Sequence, residues 1–173
     1  MPTSPSSDPT ALESALAEIR ELQAAAWPPE VPRSVEYPIK GRTVIDYLRH
    51  WATQRPHTVA IDFYGRDITY AELDDLSDRF AGWLLQRGAS AGDRVGVHLS
   101  NCPQFHIAML GILKIGAVHV PINPLFREHE LAYELGDAGV EILLTQDSFA
   151  DMVESVRGES ALRHVAVPAL ADL

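Results

Sequence analysis

Apolar residues between positions 94 and 124 fall in a pattern that predicts a strand, a helix and a second strand with almost no slack between them. Residues 94–99 set Val95, Val97 and Leu99 around Gly96 and His98, a run suited to a strand buried on both faces. Ser100, Asn101 and Cys102 then supply turn and capping groups, and Pro103 falls at a first helical position, where its missing N–H costs little. From 105 to 115 almost every residue is apolar, so this helix must be covered on most sides. Gly116 predicts the helix stop, 117–120 a second short strand, and Pro121 with Pro124 the end of that strand. A unit this tight predicts a right-handed crossover between parallel strands.

The same periodicities organise the rest. Residues 1–9 are Pro/Ser-rich, with the composition of a disordered tail. Thr10 and Glu13 have capping-box spacing, and Leu12, Leu16, Ile19 and Leu22 follow at helical intervals up to Trp27. Pro28, Pro29, Pro32 and Pro38 mark a linker, which leaves an amphipathic helix in need of a surface. That surface is either its own protein or a second copy, giving a homo-oligomer. Thr43 caps a predicted helix to about 55, with Val44, Tyr47, Leu48, Trp51 and Ala52 buried and Pro56 as its stop. Residues 59–63 and 66–69 read as a hairpin turning near Gly65. Thr69 and Glu72 form a capping box for a helix whose inward stripe is Leu73, Leu76, Phe80 and Leu84, with Gly88 as its stop. A helix over 126–138 turns Leu131, Leu135 and Ala138 inward and closes at Gly139. Strand 140–145, a short helix capped by Asp147 or Ser148, and strand 164–167 complete the pattern. The expected fold is α/β, a mainly parallel sheet with flanking helices, without internal repeats.

At 173 residues the chain can bury a sizeable core, about 70% of its unfolded surface. No apolar run approaches the roughly 20 residues of a membrane span. MPTSPSSDPT has no basic region followed by an apolar core, so no secretory signal is expected. One cysteine excludes an internal disulfide and fits a reducing compartment, so the expected location is cytoplasmic. A formal charge of −10 argues against a nucleic-acid partner.

Candidate chemistry is sparse. Cys102 precedes a helix N-terminus, a setting that can lower a thiol pKa, but no base stands near it in sequence and a capping or packing role is favoured. His50, His57, His98, His106, His119, His129 and His164 show no metal-site spacing; His129-Glu130 is followed at position 133 by Tyr133, not by a second histidine. His98 and His119 lie on neighbouring predicted strands and can line a crevice at the strand carboxyl ends, although core or rim positions are the favoured reading. Asp74, Asp75 and Asp78 read as solvated carboxylates on the outer face of a helix, and Lys114 as a surface lysine that complements a helix C-terminus. No glycine-rich phosphate loop is present, since Gly88, Gly92, Gly116 and Gly139 are all accounted for as stops or turns. No residue is assigned to catalysis, cofactor binding or a metal.

Two stretches carry a family resemblance. Leu113-Lys114-Ile115-Gly116-Ala117-Val118-His119-Val120-Pro121-Ile122-Asn123 resembles the second core motif of the AMP-forming adenylating enzymes, and Ile68-Thr69-Tyr70-Ala71-Glu72-Leu73 the first. The resemblance begins near Thr43, dividing the chain into a 1–42 tail, helix and linker and a 43–173 partial AMP-binding domain. Trp27-Pro28-Pro29-Glu30-Val31-Pro32 is similar to the opening segment of bacterial long-chain fatty-acyl-CoA synthetases. Where that family caps the 126–138 helix with Ser or Thr, Arg127 stands here, and Glu128 and Glu130 are expected to compensate at the positive end of the dipole. The resemblance implies the N-terminal part of an acyl-CoA synthetase-like fold. It implies ATP, Mg and coenzyme A for the complete enzyme, and as partners a fatty acid or other carboxylic acid and the remaining part of the synthetase. The family's S-G-T-T-G-x-P-K-G loop, Y-G-x-T-E motif, ribose-binding aspartate, hinge and catalytic lysine have no counterpart in these residues. The expectation is therefore an inactive first portion of such an enzyme; the alternative is a stand-alone non-catalytic binding module.

Overall fold

The computed structural model describes residues 9–39 and 42–169; the expected disorder of the first eight residues lies outside them. The chain divides into two compact units, Met1–Lys40 and Gly41–Leu173.

In the first unit α1 (Pro9–Ala26) buries none of its residues, and Leu12, Leu16, Ile19 and Leu22 are all exposed. The helix starts one residue before Thr10, which therefore sits inside the first turn and does not cap it. Proline suits that opening position, since its φ is already helical. After Ala26 the chain turns back: Trp27 Nε1 donates to the Val31 carbonyl (2.8 Å) and Arg33 Nη2 to the Ala24 carbonyl (3.0 Å).

The second unit opens with α2 (Val44–Gln54), whose N-cap Thr43 accepts from the Asp46 N–H while the Asp46 carboxylate accepts from the Thr43 N–H. Its buried positions are Ile45 and Leu48, whereas Val44 is exposed; at about 100° per residue Val44 falls off the face that 45, 48 and 52 share. Strands β1 (Val59–Phe63) and β2 (Arg66–Thr69) pair as a separate antiparallel hairpin. Its two-residue turn holds Tyr64 at φ 49° and Gly65 at φ 84°.

Next come α3 (Tyr70–Gln86), β3 (Arg94–His98), α4 (Pro103–Lys114), β4 (Val118–Pro121), α5 (Glu128–Ala138), β5 (Ile142–Thr145), α6 (Ala150–Val156) and β6 (His164–Ala166). The last four strands form one parallel sheet in the order β4-β3-β5-β6. Central β3 buries Val95, Gly96, Val97 and His98, as its composition predicts. On one face Val95, Val97, Leu99, Ile142 and Leu144 meet Leu84 of α3 and Ala108 and Ile112 of α4. On the other, Leu143 and Val140 meet Leu131 and Leu135 of α5 and Val153 and Val156 of α6. A third cluster joins Ile45, Leu48, Ile68, Leu73 and Leu110.

Several local expectations shift. Pro121 is the last residue of β4, not its stop. Val118 and Ile122 donate to the Asp93 and Val97 carbonyls, so the ladder draws its donors from even positions and the missing N–H of Pro121 faces the open edge. The buried stripe of α3 is Leu73, Ser77, Ala81 and Leu84, with Leu76 and Phe80 only half-buried. Small side chains lie there because α4 comes close: a Cβ on Gly111 would meet the Ser77 carbonyl oxygen at 2.9 Å. Gly96 is similarly confined, 2.8 Å from Leu143 Cδ1 for an added Cβ. Helix α5 begins two residues late because Asn123 Oδ1 and the Asn123 carbonyl accept from the Leu125 and Phe126 N–H groups. Its Glu130 carboxylate accepts from the Arg127 N–H at 2.9 Å, half of a capping box, since a guanidinium has no acceptor to complete it. A short 3₁₀ turn (Asp147–Phe149) precedes α6, so Phe149, not Asp147 or Ser148, occupies the α6 cap position.

Candidate functional site

The carboxyl end of a parallel sheet is where open α/β folds bind ligands, and here it gathers buried polar side chains. His98, the last residue of β3, is fully buried; its Nδ1 lies 3.1 Å from Thr145 Oγ1 at the matching end of β5, and its ring stacks on Phe149 at 4.7 Å. Its Nε2 has no partner. Burial pushes the His98 pKa below its ordinary value, so the ring is neutral at pH 7.

Two buried glutamines that no sequence pattern marks follow β5 and β3. Gln146 follows β5, donates its backbone N–H to the His98 carbonyl (3.1 Å), and sends Nε2 to Ser148 Oγ (2.8 Å). Gln104, in the first turn of α4, donates Nε2 to the Ala169 carbonyl at 3.1 Å. Each is only 8% exposed, and the Oε1 of each is unpartnered. Buried polar atoms without partners are rare enough to require a reason.

His119 does not join this group. It is in register with Val95, on the face covered by α4, and meets Phe105 edge-on at 5.4 Å. His98 has the opposite parity along β3, so the two histidines lie on opposite faces of the sheet and line no common crevice. Desolvation lowers the His119 pKa as well, and its Nε2 is unpartnered. Cys102 sits at the N-cap of α4 but makes no side-chain cap bond; it is 4% exposed and packs in the core with Val97 and Leu99.

The acidic cluster differs most from expectation. Lys114 is not a surface lysine: its side chain is 2% exposed, and Nζ donates to the Asp74 carbonyl (2.8 Å), Asp74 Oδ1 (2.6 Å) and Asp78 Oδ1 (2.7 Å). Asp74 and Asp78 are therefore anchors that fasten α3 to α4, while Asp75 pairs with Arg79 on the exposed side. At the start of α3 the capping box forms as its spacing predicts: Thr69 Oγ1 accepts from the Glu72 N–H (3.3 Å), and Glu72 Oε2 accepts from the Thr69 N–H (2.8 Å). The hydrogen bonds from Thr69 hold the Glu72 carboxyl below the usual range.

Among the described residues no group of three His, Cys, Asp or Glu side chains could hold a metal ion, and no helix is long and apolar enough to cross a membrane. The carboxyl end of the sheet thus offers amide oxygens and a neutral imidazole. These are groups suited to binding and alignment, with the Thr145 hydroxyl paired to the His98 ring.

The family model described as AMP-binding enzyme matches residues 48–172. The chain is similar to a long-chain-fatty-acid–CoA ligase of Bacillus subtilis, 33% identical over 148 residues, covering 86% of this chain and 26% of that protein. Among solved structures it is similar to the anthranilate CoA ligase AuaEII in complex with anthranoyl-AMP (TM-score 0.70, 26% identity, 72% of this chain and 24% of that one). It is also similar to the N-terminal domain of FACL13 from Mycobacterium tuberculosis (TM-score 0.69, 26% identity, 73% of this chain and 34% of that one). The chain spans about a quarter of the length of the curated relatives it matches.

Proposed function

Because the chain belongs to the AMP-binding enzyme family, we propose that it forms the first part of an acyl-CoA ligase acting on a fatty acid. The observation that supports this most is the continuous 148-residue similarity to a long-chain-fatty-acid–CoA ligase, which reaches beyond the family match. In such an enzyme the acid is activated with ATP to an acyl adenylate and the acyl group passes to the thiol of coenzyme A. The residues described here do not fit the nucleotide or its metal: they gather no metal-binding cluster, and the sequence has no Gly/Thr-rich phosphate loop. Their contribution is a rigid frame, and at the carboxyl end of the sheet a polar rim of His98, Gln104 and Gln146.

The same reading includes a cytoplasmic location, supported by the single cysteine. It also includes a homo-oligomer contact through the exposed apolar positions of α1; light scattering with and without residues 1–40 tests that part.

Fatty-acid-dependent exchange of labelled pyrophosphate into ATP tests the activity, measured with short, medium and long acids and a no-acid control. The expected result is no exchange from the 173-residue chain and exchange once the remaining portion of a relative is fused after Leu173. Exchange by the chain alone would overturn the division of labour. A folded but inactive fusion would favour a binding module that has left the reaction behind.

A further inference from the structure

At the opposite end of the sheet, where β3, β5 and β6 begin, a recess of about 260 Å³ is lined by Arg87, Arg94, Arg163, His164, Asp93 and Glu141, among others. Three guanidiniums face two carboxylates there, a local excess of positive charge in a chain of formal charge −10. Both carboxylates are already engaged. Asp93 accepts from the N–H and hydroxyl of Ser90 (2.7 and 2.8 Å), and Glu141 accepts from Arg163 Nη1 (3.0 Å).

Two helix C-termini approach this recess and would by themselves repel an anion, but their carbonyls are answered. Those of α3 accept from the backbone N–H groups of Arg87, Gly88 and Ala89. Those of α5 accept from Gly139 and Val140 N–H, and Arg94 adds Nε to the Ala138 carbonyl (3.2 Å) and Nη2 to the Gly139 carbonyl (3.1 Å). What remains is a surplus of donors. Arg87 lies over the Trp83 ring, 5.1 Å from its centroid, and neither Arg87 nor Arg94 forms a salt bridge with a carboxylate among the described residues.

We propose that this recess binds a small phosphate-class anion, either inorganic phosphate or the phosphate of a small monoester. Guanidinium groups recognise carboxylate and phosphate alike. The uncommitted Arg87, together with the donors of Arg94 and Arg163 not given to Ala138, Gly139 and Glu141, reach the recess from three separate stretches of chain, which suits a tetrahedral acceptor better than a planar one. The volume of about 260 Å³ lies below the roughly 300–1,000 Å³ of pockets for drug-sized ligands, which favours a small occupant. The site lies at the amino ends of the strands, apart from the polar rim, and does not depend on the function proposed above.

The test is a titration of the ¹⁵N-labelled full chain with sodium phosphate and with glycerol 3-phosphate, at ionic strength held constant with sodium chloride. Amide shifts should centre on Gly88, Arg94, Gly139 and His164. Tighter binding of the ester would identify a monoester as the source, and equal binding free phosphate. Arg87→Gln combined with Arg163→Gln should weaken binding roughly tenfold or more, with the melting temperature reporting that the fold persists. Arg94 is left intact because it caps α5. Glu141→Gln, which releases Arg163 from its partner, should tighten binding several-fold. Saturation without shifts at these amides, an unchanged affinity in the double variant, or weaker binding in Glu141→Gln would each overturn the proposal.

Discussion

Replacing Lys114 should destabilise the protein far more than the loss of an ordinary lysine. Its ammonium makes three hydrogen bonds of 2.6–2.8 Å from a side chain that is 2% exposed. Truncating one partner of a fully buried pair costs about 3–5 kcal/mol, chiefly because the other charge is left stranded. Here the partners keep some water, Asp74 being 25% and Asp78 59% exposed, so the penalty is discounted. Lys114→Met, which keeps the apolar stem, should then cost about 2 kcal/mol. Lys114→Ala also removes buried methylenes worth about 0.8 kcal/mol each, and should cost about 4 kcal/mol. Asp74→Asn should cost less than Lys114→Met, and Asp78→Asn about 0.5 kcal/mol or less, as its exposure dictates. Urea denaturation followed by far-UV circular dichroism measures each value, and a Lys114→Met/Asp74→Asn cycle isolates the pair. A cost for Lys114→Met below about 0.5 kcal/mol, or a larger cost for Asp78→Asn than for Asp74→Asn, would refute the assignment of the lysine as the tie between α3 and α4.

Thr69→Ala should lower stability by about 1 kcal/mol, the usual loss of an N-cap; a ligand-affinity change at unchanged stability would show that this motif touches substrate. Gly111→Ala should cost about 1–3 kcal/mol despite its better helix propensity, because the added Cβ meets the Ser77 carbonyl at 2.9 Å; a stabilised variant by denaturation would contradict that close approach. Tyr64→Asn should stabilise by up to about 1 kcal/mol, since Tyr64 is exposed at φ 49° in a two-residue hairpin turn. Acid should destabilise in two stages. His98 and His119 have depressed pKa values, so the unfolded chain takes up protons first, and stability falls as pH drops below their ordinary 6.5. Asp46, Glu72 and Asp93 are also depressed, and their contribution is lost as pH falls through 4.5 and 3.8 towards their folded values. Urea midpoints across pH 3–8 should show both stages, and His98→Asn should flatten the upper one.

What the sequence reveals is what it encodes locally. The cap at Thr43, the box at Thr69 and the stop at Gly139 are each carried by residues within one turn of one another, and the β3–α4–β4 unit by adjacent stretches of chain. What it conceals depends on partners far along the chain. Lys114 reads as a surface residue because Asp74 and Asp78 lie some 40 positions away. The opposed faces of His98 and His119 follow from a strand register that pairs Val95 with His119, which no local pattern specifies. Gln104 and Gln146 are uncharged and aperiodic, and become visible only through their burial and their unpartnered oxygens.

The two stretches that carry the family resemblance turn out to be one piece of architecture. The first ends at Leu73, and the next residue, Asp74, gives both its backbone carbonyl and its carboxylate to Lys114, which lies in the second. Upstream, Ile68 and Leu73 bury themselves against Leu110 of α4; downstream, the Gly116 carbonyl accepts from Gly92 N–H (2.9 Å) as the chain enters β4. The lysine therefore fastens the far end of α4 to α3. Spacing between the two stretches matters because their side chains meet, with no shared ligand required. That arrangement ties the two stretches into one packed unit of α3, α4 and β4.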